Sequence, residues 1–369
     1  MKVLTVLGTR PEIIRLSLII EKLDRSCDHI LVHTGQNHDP GLSDLFFDEL
    51  GVRAPDHHLG IDAPGFAGRI GQILERIEPL LAEHRPDRLL VLGDTDSGLS
   101  ALVAKRMGIE VVHMEAGNRC FDDRVPEEVN RRVIDHSSDL LLPYTEGSRR
   151  NLLAEGIPAN RIMVTGNPIL EVIEHHEEKI AEAAETVVER LGLTPGEYLL
   201  LTAHRQETVD VEDRLRALTD GVLNVAETVD MPVVASIHPR TRSRLDGFGI
   251  DFDGGRLIGG GTFGFFEFVA LEMGAHLVLT DSGTVQEECC LFGVPAVTLR
   301  DTTERPETLE CGSNILSGVQ PEAIERAAKV ALDGVPEWNP PEEYLRNDVS
   351  ATVTRLLLAG GEPPAGGNQ

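Results

Sequence analysis

The apolar run Leu277-Val278-Leu279-Thr280 leads straight into Asp281-Ser282-Gly283-Thr284-Val285-Gln286-Glu287-Glu288. A strand therefore stops at a Ser-Gly-Thr turn and a helix begins at once. Free N–H groups and hydroxyls at a helix start make an anion site, and a diphosphate would suit it. Glu288 follows one turn in, where a carboxylate could accept both hydroxyls of a ribose. The same residues also read as a plain N-cap, with Ser282 or Thr284 capping and Glu287 closing a capping box. A second charged run, Arg300-Asp301-Thr302-Thr303-Glu304-Arg305-Pro306-Glu307, follows the apolar residues 296–299. Alone it is a solvated charge cluster; two such loops at adjacent strand ends are harder to dismiss.

The first half of the chain carries its own candidates. Gly8-Thr9-Arg10-Pro11-Glu12 follows the first apolar run and opens a helix. It is neither a GxGxxG nor a Walker loop. Arg10 sits where a guanidinium can fork onto phosphate oxygens, and Arg15 lies about one turn on. Three acids stand at or near strand ends: Asp94 in Gly93-Asp94-Thr95, Glu115 in Met114-Glu115-Ala116, and Glu127 in Pro126-Glu127-Glu128. Any one of them reads equally as a cap or an arginine partner. Together they resemble a proton-transfer set whose mutual repulsion spreads their affinities for protons. His204 and His238 end two further apolar runs, as hydrogen-bonded structural groups or as site groups. The His residues lack HxH or HExxH spacing, so no metal site is expected.

Short apolar runs alternate with amphipathic segments through both halves. Strands are predicted at residues 3–7, 29–32, 88–92, 111–114, 140–143, 162–165, 198–201, 233–237, 277–279 and 296–299. Helices are predicted at 12–23, 67–83, 98–107, 171–192, 211–228, 265–273, 284–292, 321–332 and 344–358. Such alternation predicts an α/β chain of two Rossmann-like, doubly wound parallel sheets, with ligands at the carboxyl ends of the strands. The expected domains are 1–168, joined by the closing helix 344–358, and 169–343. Residues 359–369 are expected to be a disordered tail.

Composition narrows the partners. The formal net charge is −27, and only 5 of the 34 basic residues are Lys. So acidic a surface disfavours nucleic acid and anionic membranes, and it suits high salt, where self-repulsion is screened. An anionic substrate must then be drawn by local Arg groups. No run approaches the length of a membrane span, and the first residues run into a strand without a signal-peptide pattern, so a cytoplasmic protein is expected. Five Cys without CxxC spacing argue against a disulfide framework or a structural zinc.

Taken in order, Gly8–Glu12, His113–Gly117, Pro126–Arg131, Thr165–Asn167, Thr202–Arg205, Thr280–Glu288 and Arg300–Glu307 resemble the non-hydrolysing UDP-N-acetylglucosamine 2-epimerase family. The string Arg-Asp-Thr-Thr-Glu-Arg-Pro-Glu is the most specific match. The resemblance implies a glycosyltransferase-B-like fold with the site in the interdomain cleft, no cofactor, no metal, and a homodimer. It also implies elimination of UDP through a 2-acetamidoglucal and re-addition after protonation on the other face. In that scheme Asp94, Glu115 and Glu127 are the acid/base and sugar-contacting carboxylates. His204 and Arg10 lie near the diphosphate, with Arg15 in place of the family's usual Lys. Ser282, Gly283 and Thr284 hold phosphate oxygens, and Glu288 takes the ribose. Phe263 and Phe268 flank the uracil, and Arg305 completes an anion clamp.

The family regions that bind UDP-GlcNAc as an allosteric activator in several bacterial members read here Thr34-Gly35-Gln36-Asn37-His38 and His204-Arg205-Gln206-Glu207-Thr208. Both depart from the usual pattern. Details such as Gly117-Asn118-Arg119-Cys120-Phe121-Asp122 resemble a branch that forms UDP-N-acetyl-L-fucosamine from a 6-deoxy sugar. UDP-GlcNAc to UDP-ManNAc is the first reading. Its rivals are that 6-deoxy epimerase, a hydrolysing 2-epimerase, a glycosyltransferase of the same shape, and a non-catalytic nucleotide-sugar sensor.

Overall fold

The computed structural model describes residues 1–36, 40–333 and 337–359, with the backbone alone at 40–43 and 260. Asn37, His38, Pro336 and the expected tail from 360 onward lie outside the described residues. The chain divides into two compact units, Met1–Val172 with the residues from Glu343 onward, and Ile173–Glu342. The division falls a few residues beyond Pro168.

The first unit holds β1 (Lys2–Leu7), β2 (Asp28–His33), β3 (His57–His58), β4 (Arg88–Leu92), β5 (Glu110–Met114) and β6 (Leu140–Leu142). They pair in parallel in the order β3-β2-β1-β4-β5-β6. The second unit repeats that pattern with β7 (Leu199–Ala203), β8 (Val233–Ile237), β9 (Leu257–Gly261), β10 (Leu277–Thr280), β11 (Ala296–Thr298) and β12 (Asn314–Leu316), ordered β12-β11-β10-β7-β8-β9. In each sheet the chain winds outward one way and then the other. The reversal falls between β1 and β4 in the first unit and between β7 and β10 in the second. Central strands are mostly apolar because helices cover both faces; in β1 and β10, Val3, Leu4, Leu277 and Leu279 are wholly buried.

Several expectations are corrected. Residues 162–165 form no strand; Ile162 makes one isolated bridge to Leu141. The single polar helix expected at 171–192 is two, Ile169–His175 and Glu177–Leu191, broken at His176. The closing helix begins only at Val349, after a short 3-10 turn at Glu342–Leu345. That helix belongs to the first unit for a physical reason. Buried Arg88 at the start of β4 donates to the carbonyls of Leu356 and Leu357 at 2.7 Å, satisfying the helix C-terminus. Glu171 accepts from the Ser350 N–H at 2.7 Å at the other end. Among the described residues no helix is long and apolar enough to cross a membrane.

Candidate active site

In the first unit, the loop after β1 is fixed by Glu12. Its Oε2 accepts from the N–H groups of Gly8 and Thr9 and from the Thr9 hydroxyl, and its Oε1 from the Thr95 hydroxyl after β4. One carboxylate thus ties together the two loops at the switch point. Burial pushes that carboxyl up to about 7 against four donors that favour its charge. Arg10 is left facing outward at the same loop. Its guanidinium lies 5.6 Å from the Phe46 ring centre, and no carboxylate among the described residues pairs with it. Burial lowers its pKa, so an anion would be welcome there.

The acids come from adjoining strand ends. Leu92 of β4 pairs with Met114 of β5, which sets Asp94 and Glu115 at neighbouring positions of one edge. Glu115 adopts φ 63°, a left-handed conformation rare for a non-glycine residue, pinned by its N–H to the Leu142 carbonyl at 3.1 Å. Its Oε2 accepts from Arg15 at 2.8 Å and its Oε1 from Asn118 at 3.3 Å. Arg15 is buried and lies 5.5 Å from the Tyr144 ring centre, so the pair is held from both sides. Asp94 accepts from Arg131 Nε at 2.8 Å and ion-pairs with its Nη2 at 2.6 Å. Arg131 rides on the helix Pro126–Ser137, and Glu127 lies four residues earlier on the same face. Its neighbour Glu128 is wholly buried and structural. It accepts from the N–H groups of Cys120 and Phe121 and from Arg131 and Arg132.

In the second unit the loops after β7 and β10 meet at Asp281. This wholly buried carboxylate accepts from the N–H groups of His204 and Arg205 at 2.7 and 2.8 Å. Its other oxygen stands 3.2 Å from His204 Nδ1. Burial opposes its charge, but His204 and Arg205 outweigh burial and hold the carboxyl below its ordinary value. The His204 ring is 40% exposed, so one edge is clamped and the other open.

The capping-box reading of residues 282–287 does not hold. No side chain caps the helix Gly283–Phe292; the Ser282 hydroxyl lies 3.0 Å from that of Thr284. Glu287, rather than closing a box, ion-pairs with buried Arg305. The helix N–H groups are thereby left to an outside acceptor. The loop after β11 backs this turn: Arg300 pairs with Glu304 at 2.9 Å, and Thr303 donates to Gln286 at 2.7 Å. Arg305 therefore braces the turn from behind. Phe263 is buried in the loop after β9, and Phe268 is half-buried on the helix Phe265–Met273. His238 caps its helix by accepting from the Arg240 N–H, a structural role.

Arg131, Asp281 as the clamp of His204, and Tyr144 behind Arg15 were not singled out from the sequence. Only Arg131 had a local signal, its four-residue spacing from Glu127. Among the described residues no group of three or more metal-ligating side chains converges.

Two doubly wound parallel sheets with acids, guanidinium groups and an uncapped helix start at their switch points define an α/β protein of glycosyltransferase-B-like fold. The fold is shared at TM-score 0.58 and 11% identity with Glycyrrhiza uralensis UGT73P12, over 96% of this chain and 91% of that one. The family profile described as UDP-N-acetylglucosamine 2-epimerase matches residues 21–358. The curated UDP-N-acetylglucosamine 2-epimerase of Methanocaldococcus jannaschii is 42% identical over 370 residues, 98% of this chain and all of that one. The crystal structure of the epimerase from that organism in complex with UDP-GlcNAc and UDP superposes at TM-score 0.92 and 40% identity, covering 98% of this chain and 100% of that one. The chain belongs to the UDP-N-acetylglucosamine 2-epimerase family.

Proposed function

We propose that this protein is a non-hydrolysing C2 epimerase that interconverts UDP-GlcNAc and UDP-ManNAc. A carboxylate removes the C2 proton as the C1–O bond to UDP breaks, and the bond's electron pair leaves with UDP. The result is 2-acetamidoglucal. A second carboxyl group protonates C2 from the opposite face, and UDP re-adds at C1. The acid and base are drawn from Asp94, Glu115 and Glu127. Arg10 and His204 offset the charge gathering on the departing diphosphate. Ser282, Gly283 and Thr284 present the helix start to its oxygens, Glu288 takes the ribose hydroxyls, and Phe263 and Phe268 contact the uracil. The observation that carries this reading is Glu115, a carboxylate held in strained backbone at a strand end beside Asp94. Homodimerisation and activation by UDP-GlcNAc belong to the same reading. Of the activator region, Gln36 accepts from Ser97 at 3.2 Å.

The test is incubation with UDP-GlcNAc in heavy water at high salt, followed by NMR. Deuterium at C2 and a UDP-GlcNAc/UDP-ManNAc mixture without net UDP release is the expected outcome. Accumulating free UDP would show hydrolysis instead, and no exchange would redirect the search to UDP-linked 6-deoxy sugars.

The phosphate turn has a steric test of its own. A Cβ at Gly283 would stand 2.5 Å from Glu304 Oε1, and Glu304 is buried and paired with Arg300. Gly283→Ala is expected to weaken UDP binding by about 10- to 100-fold, the equivalent of roughly 1–3 kcal/mol of overpacking. Isothermal titration calorimetry measures it; unchanged affinity would remove the turn from the nucleotide site.

A further inference from the structure

Glu272 is a buried acid that the proposed reaction does not use. It lies near the C-terminal end of the apolar helix Phe265–Met273 and is wholly buried. Among the described residues no donor group reaches either of its oxygens. The acid that bears on it is Glu288, itself only 5% exposed on the packed helix Gly283–Phe292. Two carboxylates cannot both stay charged at such a place, so one proton must be shared between them. The helix dipole decides where it resides. Glu272 lies in the last turn of its helix, whose partial negative charge opposes a carboxylate, whereas Glu288 lies mid-helix, beyond the first and last turns where the dipole acts.

The surroundings agree. The Tyr198 hydroxyl is spent on the Leu271 carbonyl at 2.7 Å and gives Glu272 nothing. Cys289 is wholly buried, and its thiol is pushed up first by burial and then by the two acids. The helix Glu177–Leu191 also packs against the helix Phe265–Met273. Its Lys179 lies 5.3 Å from the Phe266 ring centre and its Arg190 pairs with Glu267 at 2.8 Å. The burial that isolates Glu272 raises its pKa well above the ordinary carboxyl value, with Glu288 adding to the rise.

We propose that Glu272 is held as a neutral carboxylic acid that donates a hydrogen bond to the Glu288 carboxylate and so fixes how Glu288 offers its oxygens to ribose. Glu272 is thus a positioning residue, and the proposal rests on the ribose role given to Glu288. Loss of this donor changes how the Glu288 carboxylate is held, and that change weakens its grip on the sugar hydroxyls.

Two measurements test it. The first compares binding of UDP and 2′-deoxy-UDP by calorimetry. Wild type is expected to prefer UDP by roughly 10- to 100-fold, the worth of a hydrogen bond to a charged group. Glu288→Ala should erase the preference. Glu272→Met should reduce it to about threefold or less, while Glu272→Gln, whose amide still donates, should keep it. A preference that survives Glu288→Ala overturns the ribose role and this inference with it. A preference lost in Glu288→Ala but intact in Glu272→Met, or lost in Glu272→Gln, overturns this inference alone. The second measurement does not need Glu272→Met to fold. The infrared difference spectrum of wild type minus Glu272→Gln in neutral heavy water should show the carbonyl stretch of a protonated carboxylic acid, the contribution of other protonated carboxyls such as Glu12 cancelling between the two. A difference spectrum without that band refutes the proton assignment.

Discussion

Glu115→Gln is expected to slow deuterium exchange at C2 of UDP-GlcNAc by roughly 10²- to 10⁴-fold, the usual worth of a positioned general acid or base. UDP affinity should stay within about threefold, because the nucleotide end is proposed to be held elsewhere. The substitution is close to a pure removal of proton-transfer capacity. Glutamine keeps the volume, and its carbonyl can still accept from Arg15, which Glu115 meets at 2.8 Å. Arg15 stays in place for its own reason, being buried against Tyr144. The φ of 63° is paid for by the rest of the strand end and is not altered by an amide. Exchange is read by NMR in heavy water and UDP binding by calorimetry. Normal exchange in Glu115→Gln would end its assignment to the reaction. Normal exchange in Asp94→Asn as well would end the carboxylate mechanism.

The positions of these groups were largely legible in the sequence, because parallel sheets advertise their ligand ends. An apolar run followed by Asp94, Glu115, His204 or Asp281 marks a strand end without knowledge of the strand order. The two switch points then gather residues that are far apart in the chain. What stayed hidden is of two kinds. Edge strands were missed where they are short or built from unlikely residues: β3 is His57–His58, β12 is Asn314–Leu316, and β9 contains Gly259, Gly260 and Gly261. Their pairing comes from the neighbouring strand rather than from their own propensity. Conversely, residues 162–165 look like a strand but lie beyond the sheet's last full ladder. Ion pairing was the second hidden layer. Nothing local says that Arg305 turns back onto Glu287, that Arg131 takes Asp94, or that Glu272 faces Glu288, since each pair joins different elements. The charged run 300–307 therefore looked like an open anion clamp, while its Arg300 and Arg305 are both buried and engaged with acids.

Asp281 separates folding from catalysis, and two substitutions there should part the two effects. Asp281→Ala removes the acceptor for the N–H groups of His204 and Arg205, each a hydrogen bond to a buried charge. Two such bonds are worth roughly 3 kcal/mol or more, so a fall in melting temperature of about 6–12 °C is expected from a unit of this size. Asp281→Asn should behave differently. Its carbonyl oxygen can take over both N–H groups, so the melt should move by only a few degrees. Its amide NH₂, however, replaces the oxygen that stands 3.2 Å from His204 Nδ1. An acceptor that favours a proton on Nδ1 becomes a donor that excludes it. The ring is then driven to carry its proton on the far nitrogen, and His204 loses its carboxylate partner. The proposed elimination sets His204, backed by the Asp281 carboxylate, beside the leaving diphosphate, so exchange at C2 should drop by about 10²-fold, as for a displaced catalytic group. Full exchange in Asp281→Asn at a native melting temperature would show that the Asp281 charge plays no part in the reaction, and that Asp281 serves the fold alone.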